Sequence, residues 1–191
     1  PTFVEKKRSI LINEITAPVD CAIAAQGEFA YSEKSGIPDG FDKEPGKRFQ
    51  ECFMLAERFK DMVGRDRSSG DVLKDDLNAV KFSAVKRENS PIKPNGTFVI
   101  ADLGRETCGY LTFSVSVKKS CKAAVCWGEH LSDLRVRSWI DGRNFAFEFN
   151  LKQGENVFDD YILRLGLRYL CLFVEADFIE VKRLTVRETY Y

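Results

Sequence analysis

The chain has 191 residues, of which 44% are hydrophobic and 30% are charged, and its 29 Lys and Arg balance 29 Asp and Glu. This composition is that of a globular protein with its own core, and a net charge of zero provides no field to attract nucleic acid. The longest apolar stretches, such as Leu170 to Val174, are far shorter than the roughly 20 residues of a transmembrane helix, so we expect no membrane span.

The chain begins at Pro1 without an initiator Met and without the apolar stretch of a signal peptide, which indicates a cut inside a longer protein. The six cysteines form no Cys-x-x-Cys pair, and several stand in apolar runs. We therefore expect most of them to be reduced core residues, with one or two disulfides as the alternative. We expect no metal site, because His130 is the one imidazole and the cysteine spacings do not suit zinc. Nothing in the sequence indicates a cofactor.

The first 90 residues mix extended runs with helical periodicity. Ile10 to Ile15 and Cys21 to Tyr31 are predicted strands, separated by a break at Ala17-Pro18. Ser32 to Gly46 is rich in Gly and Pro and is predicted to be a surface loop. This part of the chain is either a lobe of its own or part of the sheet structure that follows.

Apolar residues recur at three- and four-residue steps from Phe49 to Val63, which predicts a helix that ends at a Gly64 cap. A second short helix is predicted over Asp71 to Val80, with Asp71 as its N-cap. The segment Asn89 to Gly96 contains two prolines and an Asn-Gly pair, and it is predicted to lead into the next sheet.

The second part, residues 91–191, is dominated by strand patterns. Tyr110 to Val117 alternates apolar and hydroxyl side chains, which is typical of a strand with one wet face. Short strands separated by turns predict a mainly β fold, an antiparallel β-sandwich or jelly roll with one or two short helices in its N-terminal part. The other predicted strands are Thr97 to Asp102, Lys122 to Trp127, Asn144 to Leu151, Val157 to Leu163, Tyr169 to Glu175 and Phe178 to Arg187.

Three segments in this part carry a resemblance to a known family. Asp102-Leu-Gly-Arg-Glu-Thr-Cys-Gly-Tyr-Leu111, Trp127-Gly-Glu-His-Leu131 and Leu165-Gly-Leu-Arg-Tyr-Leu170 occur in the order of three motifs of bacterial α-L-rhamnosidases. The chain departs from the family pattern at Ser132 to Arg135, where an Asp-Gly turn is usual. Residues 1 to about 90 match nothing in the family.

The resemblance implies that residues 91–191 form a concanavalin-like β-sandwich, an accessory region that lies beside a catalytic helical toroid in those enzymes. The toroid carries the catalytic carboxylates, so the resemblance assigns no catalytic residue to this chain. It implies as partners a catalytic domain of the same polypeptide and a glycan that contains rhamnose. A parent that acts on glycans would be exported, although the sequence leaves its compartment open.

Three residues are candidates for contact with a carbohydrate. Trp139 stands in a predicted loop beside Arg137, and an aromatic face with neighbouring polar groups is what a sugar-binding surface needs. Packing against another domain explains Trp139 equally well. Glu129 is the candidate acid of a glycosidase, or else a residue that closes a strand end by bonding backbone amides or an arginine such as Arg168. Trp127, in an apolar strand, is predicted to be core, and His130 a surface residue.

These observations leave three hypotheses. The first is a noncatalytic β-sandwich segment of an α-L-rhamnosidase, which packs beside the catalytic domain. The second is an autonomous carbohydrate-binding module in which Trp139 contacts the sugar. The third is a small complete hydrolase that uses Glu129.

Overall fold

A computed structural model describes residues 15–32, 44–56, 80–83, 93–132 and 135–189, and all structural statements refer to these. Within them the fold is mainly β with one short helix, which confirms the predicted fold class. The elements are β1 Ile15–Pro18, β2 Ala22–Ala30, α1 Pro45–Glu51, β3 Phe53–Ala56, β4 Val80–Ser83, β5 Gly96–Val117, β6 Cys121–Gly128, β7 Leu131–Ser132, β8 Arg135–Val136, β9 Trp139–Ile140, β10 Arg143–Asn144, β11 Ala146–Leu151, β12 Gly154–Val174 and β13 Phe178–Thr189.

Two very long strands, β5 and β12, organise the antiparallel sheet. They pair with each other along most of their length, and each contributes one part to either half of the curled sheet. The first half-sheet contains β3, β2, the beginning of β5, the end of β12, β6 and β11. The second half-sheet contains the end of β5, the beginning of β12, and β13 with β1 and β4 on its far side.

The main core lies between the two half-sheets. Alternate residues of the first half-sheet, such as Val99, Val125 and Leu172, belong to the same buried cluster as Leu111 and Phe113 of the second. Hydroxyl residues alternate with apolar ones in that part of β5, but the predicted wet face is wrong for Thr112 and Ser114, because both are buried and hydrogen-bond to carboxylates of β12. The arrangement is that of a β-sandwich.

A second buried cluster covers the opposite face of the first half-sheet. Helix α1 places Phe49 on this face, against Phe29 and Phe173, with ring centroids 6.2 and 4.6 Å away. Strands of the first half-sheet are therefore buried on both sides. This explains why the run Leu170 to Val174 is apolar without alternation.

The helix predicted over Phe49 to Val63 is wrong in its bounds. It begins at Pro45, whose fixed φ suits the first turn of a helix, and it ends at Glu51. Cys52 has an extended backbone, with φ −67° and ψ 155°, and β3 then pairs with β2. Strand pairing at the edge of the first half-sheet thus overrides the helical periodicity, and residues 57–64 lie outside the described part.

Other predictions on the N-terminal part are tested only at their edges. The predicted loop Ser32 to Gly46 is wrong at its end, because Pro45 and Gly46 lie buried in α1. Strand β2 matches Cys21 to Tyr31, and β1 ends at the predicted Pro18 break. Residues 10–14, 33–43, 71–79 and 84–92 lie outside the described residues. The division of the chain at residue 90 stays a prediction.

In the second part, most of the predicted strands are present and longer than expected, while Asn144 to Leu151 is divided between β10 and the shorter β11. Thr97 to Asp102 and Tyr110 to Val117 belong to one strand, β5, and the two runs predicted between Val157 and Glu175 belong to β12. The glycines between these predicted strands suggest turns in the sequence. In the structure they mark positions where one long strand passes from one half-sheet to the other. In the described part of the chain the one helix, α1, has seven residues, too few to cross a membrane.

Candidate functional site

The three motif segments meet side by side at one end of the first half-sheet. In the strand register, Tyr169 of β12 lies opposite Asp102 of β5 on one side and opposite Gly128 of β6 on the other. Segments that are far apart in sequence are thereby neighbours in space. This row of three strands is the candidate functional site.

An ion pair joins the first motif to the third. Arg168 Nε donates to Asp102 Oδ1 at 2.9 Å and Arg168 Nη2 donates to Oδ2 at 3.1 Å. The hydrogen bonds to Asp102 are the main cause that raises the pKa of Arg168 above its ordinary value. The guanidinium also lies 5.0 Å from the centre of the Tyr169 ring.

Asp102 also shapes the backbone where β5 leaves the first half-sheet. Its Oδ1 accepts a hydrogen bond from the Gly104 amide at 2.7 Å. Gly104 has φ +75°, a conformation that side chains with a Cβ rarely adopt. The carboxylate of Asp102 is therefore committed to three hydrogen bonds that hold a corner, which is an architectural role.

The predicted residues Glu129 and Arg137 lie at the same end of the first half-sheet. Glu129 follows the end of β6, and a Cβ placed on the preceding Gly128 would lie 3.4 Å from the Arg137 carbonyl oxygen. Both side chains are exposed. Arg168, which the sequence offered as a partner for Glu129, pairs with Asp102 instead. The acid of a glycosidase is usually desolvated by apolar neighbours, and the exposure of Glu129 does not provide that environment.

Trp139 begins a short hairpin of β9 and β10 that is fastened to α1. Its amide donates to Gln50 Oε1 at 2.9 Å, and Ser138 Oγ donates to the Gly46 carbonyl at 2.7 Å. The Gly46 amide donates in turn to Asn144 Oδ1 at 2.7 Å. Trp139 is half-buried, so part of it faces solvent from a fixed backbone. This is the geometry that either sugar contact or packing against another domain requires.

Trp127 and His130 lie where the sequence predicted them. Trp127 is 6% exposed, and its ring packs on Phe147 and Phe145 at centroid distances of 4.7 and 6.0 Å. His130 is exposed just beyond the end of β6. Cys52, Cys126 and Cys171 are buried free thiols, as expected of core cysteines, and Cys126 lies opposite Cys171 in the sheet.

A polar and aromatic cleft beneath α1 was not predicted. Arg48 of α1 forms a buried ion pair with Glu148 of β11, whose side chains are 3% and 8% exposed. Tyr31 Oη donates to Glu175 Oε1 at 2.8 Å, and burial is the first cause that raises the Tyr31 pKa, followed by this hydrogen bond. No local pattern could reveal these pairs, since their members are 100 and 144 residues apart.

This cleft has no room for a water-sized sphere, whereas ligand pockets usually measure about 300–1,000 Å³. The guanidinium of Arg48 lies 4.6 Å from the centre of the Phe49 ring, so its charge is already held between an aromatic face and Glu148. We therefore interpret the cleft as the contact that attaches α1 to the sheet. Within the described residues no group of His, Cys, Asp and Glu is arranged to hold a metal ion.

No family model and no curated protein match the chain. Among solved structures it is similar to a GH78 family rhamnosidase of Bacillus sp. GL1, with 18% identity, a TM-score of 0.45, and coverage of 54% of this chain and 11% of that one. It is also similar to a rhamnosidase from Klebsiella oxytoca with rhamnose bound, with 15% identity, a TM-score of 0.46, and coverage of 91% and 28%. A GH29 fucosidase of Ruminococcus gnavus in complex with fucose has 11% identity and a TM-score of 0.39, with coverage of 61% and 21%. At these values the likeness carries no functional assignment, and the chain spans less than a third of each of these proteins.

Proposed function

We propose that this chain is a noncatalytic β-sandwich segment of an α-L-rhamnosidase, and that it packs beside a catalytic domain of the same polypeptide. The observation that carries the proposal is the convergence of the three motif segments on the row Asp102, Tyr169 and Gly128. Motifs that matched by chance would have no reason to meet in adjacent strands. Their ordered appearance in the sequence thus has a spatial counterpart.

The roles of the motif residues support a noncatalytic segment. Asp102 and Arg168 neutralise each other and hold the corner at Gly104. Gly128 allows β6 to approach the chain at Val136, since an added Cβ would lie 3.1 Å from Val136 Cγ1. A motif whose residues serve the architecture of a sandwich is expected in an accessory region, where no reacting group is needed.

The experiment is a comparison of two polypeptides, this chain and a form extended past Tyr191, assayed against an aryl α-L-rhamnoside. We expect hydrolysis by the longer form alone. Hydrolysis by the 191-residue chain would contradict the noncatalytic role and favour the small hydrolase, in which case Glu129→Gln should abolish activity while the far-UV circular dichroism stays unchanged. Inactivity of both forms would contradict the assignment to a rhamnosidase.

A carbohydrate-binding module is the second candidate, and the half-buried Trp139 on its fixed hairpin favours it. Arg137 and Glu129 are exposed nearby and supply hydrogen-bonding groups for sugar hydroxyls. The test is calorimetric titration of the 191-residue chain with rhamnose and with a rhamnose-containing oligosaccharide. Binding that is lost in Trp139→Ala and kept in Trp139→Phe would establish this function, whereas no heat at millimolar sugar would reject it.

A further inference from the structure

Strand β12 carries an exposed apolar protrusion. Asp159 pairs with Thr112 of β5 and Arg164 pairs with Tyr110, so four residues of β12 stand opposite the single residue between them on β5. We call residues 160–163 the β12 protrusion. Three of its residues are large and apolar, and Tyr161, Ile162 and Leu163 are 62%, 92% and 46% exposed. An apolar cluster exposed to this extent marks an interaction site in soluble proteins.

The protrusion is held in shape by neighbouring polar groups. Asp160 Oδ1 accepts a hydrogen bond from the Ile162 amide at 2.8 Å. From the neighbouring end of β13, Arg187 Nη2 donates to the Asp160 carbonyl, and its guanidinium lies 4.0 Å from the centre of the Tyr161 ring. A preorganised surface loses little conformational entropy when a partner covers it, and this favours binding.

The protrusion also lies beside the place where the last strand ends. Arg164 Nε donates to Thr189 Oγ1 at 2.8 Å, and Thr189 is the final residue of β13. A polypeptide that continues from β13 therefore starts next to the protrusion. A domain tethered at this point has a high effective concentration at the protrusion, so even a small apolar contact would be occupied.

Pairing of two copies along this part of β12 is disfavoured by charge. From Glu155 to Asp159 the strand pairs with β5 on one side, and its pairing with β6 begins only at Tyr169. Antiparallel pairing of two copies about Val157 would place Glu155 of one copy opposite Asp159 of the other. Their exposed ion pairs with β13 offset this repulsion only in part, and like charges directly opposite weaken a sheet. A different partner is therefore favoured.

We infer that the β12 protrusion is the docking surface for the domain that follows β13 in the same polypeptide, with Ile162 inserted into an apolar pocket of that domain. The inference rests on the proposed function, since that function supplies the following domain. It goes further by assigning the contact to four residues of the chain. The three apolar side chains bury their exposed surface in this contact.

The first experiment is hydroxyl-radical footprinting of the 191-residue chain and of the form extended past Tyr191. We expect the modification of Tyr161, Ile162 and Leu163 to fall at least fivefold in the longer form. Phe53, which is 48% exposed on β3, is the matched control and should react equally in both forms. Equal modification of the protrusion in both forms would overturn the inference.

The second experiment uses Ile162→Asp in both forms. Because Ile162 is 92% exposed, the variant should leave the urea midpoint of the 191-residue chain unchanged. In the longer form it should raise radical modification of Tyr161 at least threefold, because the docked contact opens. An unchanged footprint would contradict the docking. Sedimentation of the 191-residue chain as a dimer that Ile162→Asp dissociates would assign the protrusion to self-association and overturn the inference.

These results are independent of the rhamnosidase assay. Hydrolysis by the longer form without protection of the protrusion would reject the docking surface and leave the proposed function intact. Protection without hydrolysis would keep the docking surface and reject the rhamnosidase assignment.

Discussion

Arg168 and Asp102 are joined by two parallel hydrogen bonds, of 2.9 and 3.1 Å, across the two longest strands of the sheet. The same carboxylate holds the Gly104 amide at the corner where β5 passes from one half-sheet to the other. Asp102 thus links the pairing of β5 with β12 to the bend in β5 that a sandwich requires. The bidentate geometry needs the planar guanidinium, which an ammonium group does not reproduce.

Removing Asp102 should destabilise the sandwich. We expect Asp102→Ala to lower the free energy of unfolding by about 2 kcal/mol, because Arg168 loses its bidentate partner and the Gly104 amide loses its cap. Urea denaturation followed by circular dichroism measures the change. The matched control is Lys182→Ala, which removes an exposed ion pair of similar length with Glu155 and should leave the midpoint unchanged. Equal effects of the two variants would contradict the role of Asp102 at the corner.

The Arg48–Glu148 pair beneath α1 should show strong coupling. Arg48→Met removes the buried ion pair with Glu148 while the carboxylate stays buried, and this should cost about 3–5 kcal/mol. The double variant Arg48→Met/Glu148→Leu removes both charges and should be more stable than the single Arg48→Met variant. A double-mutant cycle in chemical denaturation measures the coupling. Additive effects would mean that the pair does not hold α1 on the sheet.

Much of the sandwich can be predicted from strands in which each face keeps the same kind of environment along its length. The alternation from Tyr110 to Val117 is clear because its apolar members belong to the main core, whereas Thr112 and Ser114 between them hydrogen-bond to β12. The continuous apolar run Leu170 to Val174 predicts a strand. It does not predict that the strand is buried on both faces, because that burial depends on α1. The helical spacing after Phe49 predicts a helix where the structure has β3, because pairing of β3 with β2 stabilises this segment more than a continued helix would.

The candidate site is predictable only in part, for a similar reason. The motifs indicate Asp102 and Arg168, yet their contact appears only when β5 and β12 pair. The protrusion has a local signal, since Tyr161, Ile162 and Leu163 are consecutive and apolar, a pattern that a half-exposed strand does not favour. The partnership of Arg48 with Glu148 has no local signal.

The buried thiols predict a loss of stability at alkaline pH. Burial raises the pKa of Cys52 to about 12 and the pKa values of Cys126 and Cys171 above the ordinary value of 9.0. In the unfolded chain these thiols ionise as the pH passes 9.0, while in the folded chain they stay protonated. Folding is therefore supported in full below pH 9, and this support is lost as the pH rises from 9 towards 12.

Between pH 8 and 10 each buried thiol should reduce the free energy of unfolding by on the order of 1 kcal/mol. Cys126→Ala should make the pH dependence shallower by the contribution of one thiol. The control is Val125→Ala, which also shortens a fully buried side chain and should keep the pH dependence of the parent chain. Denaturation curves at both pH values test this, and parallel behaviour of the two variants would show that Cys126 does not titrate differently in the folded chain.

The two tryptophans should respond differently to truncation. Trp127→Ala removes a ring that is 6% exposed and packed on Phe147 and Phe145, which should cost about 3–5 kcal/mol. Trp139 is half-buried, and its hydrogen bond to Gln50 comes from the backbone amide, which alanine retains. Trp139→Ala should therefore cost only about 1 kcal/mol. Guanidinium unfolding followed by far-UV circular dichroism measures both values without relying on the tryptophan signal. Equal losses would make Trp139 a core residue and remove it as a platform for a sugar, whereas the expected difference keeps its ring accessible to a sugar or to a packed domain.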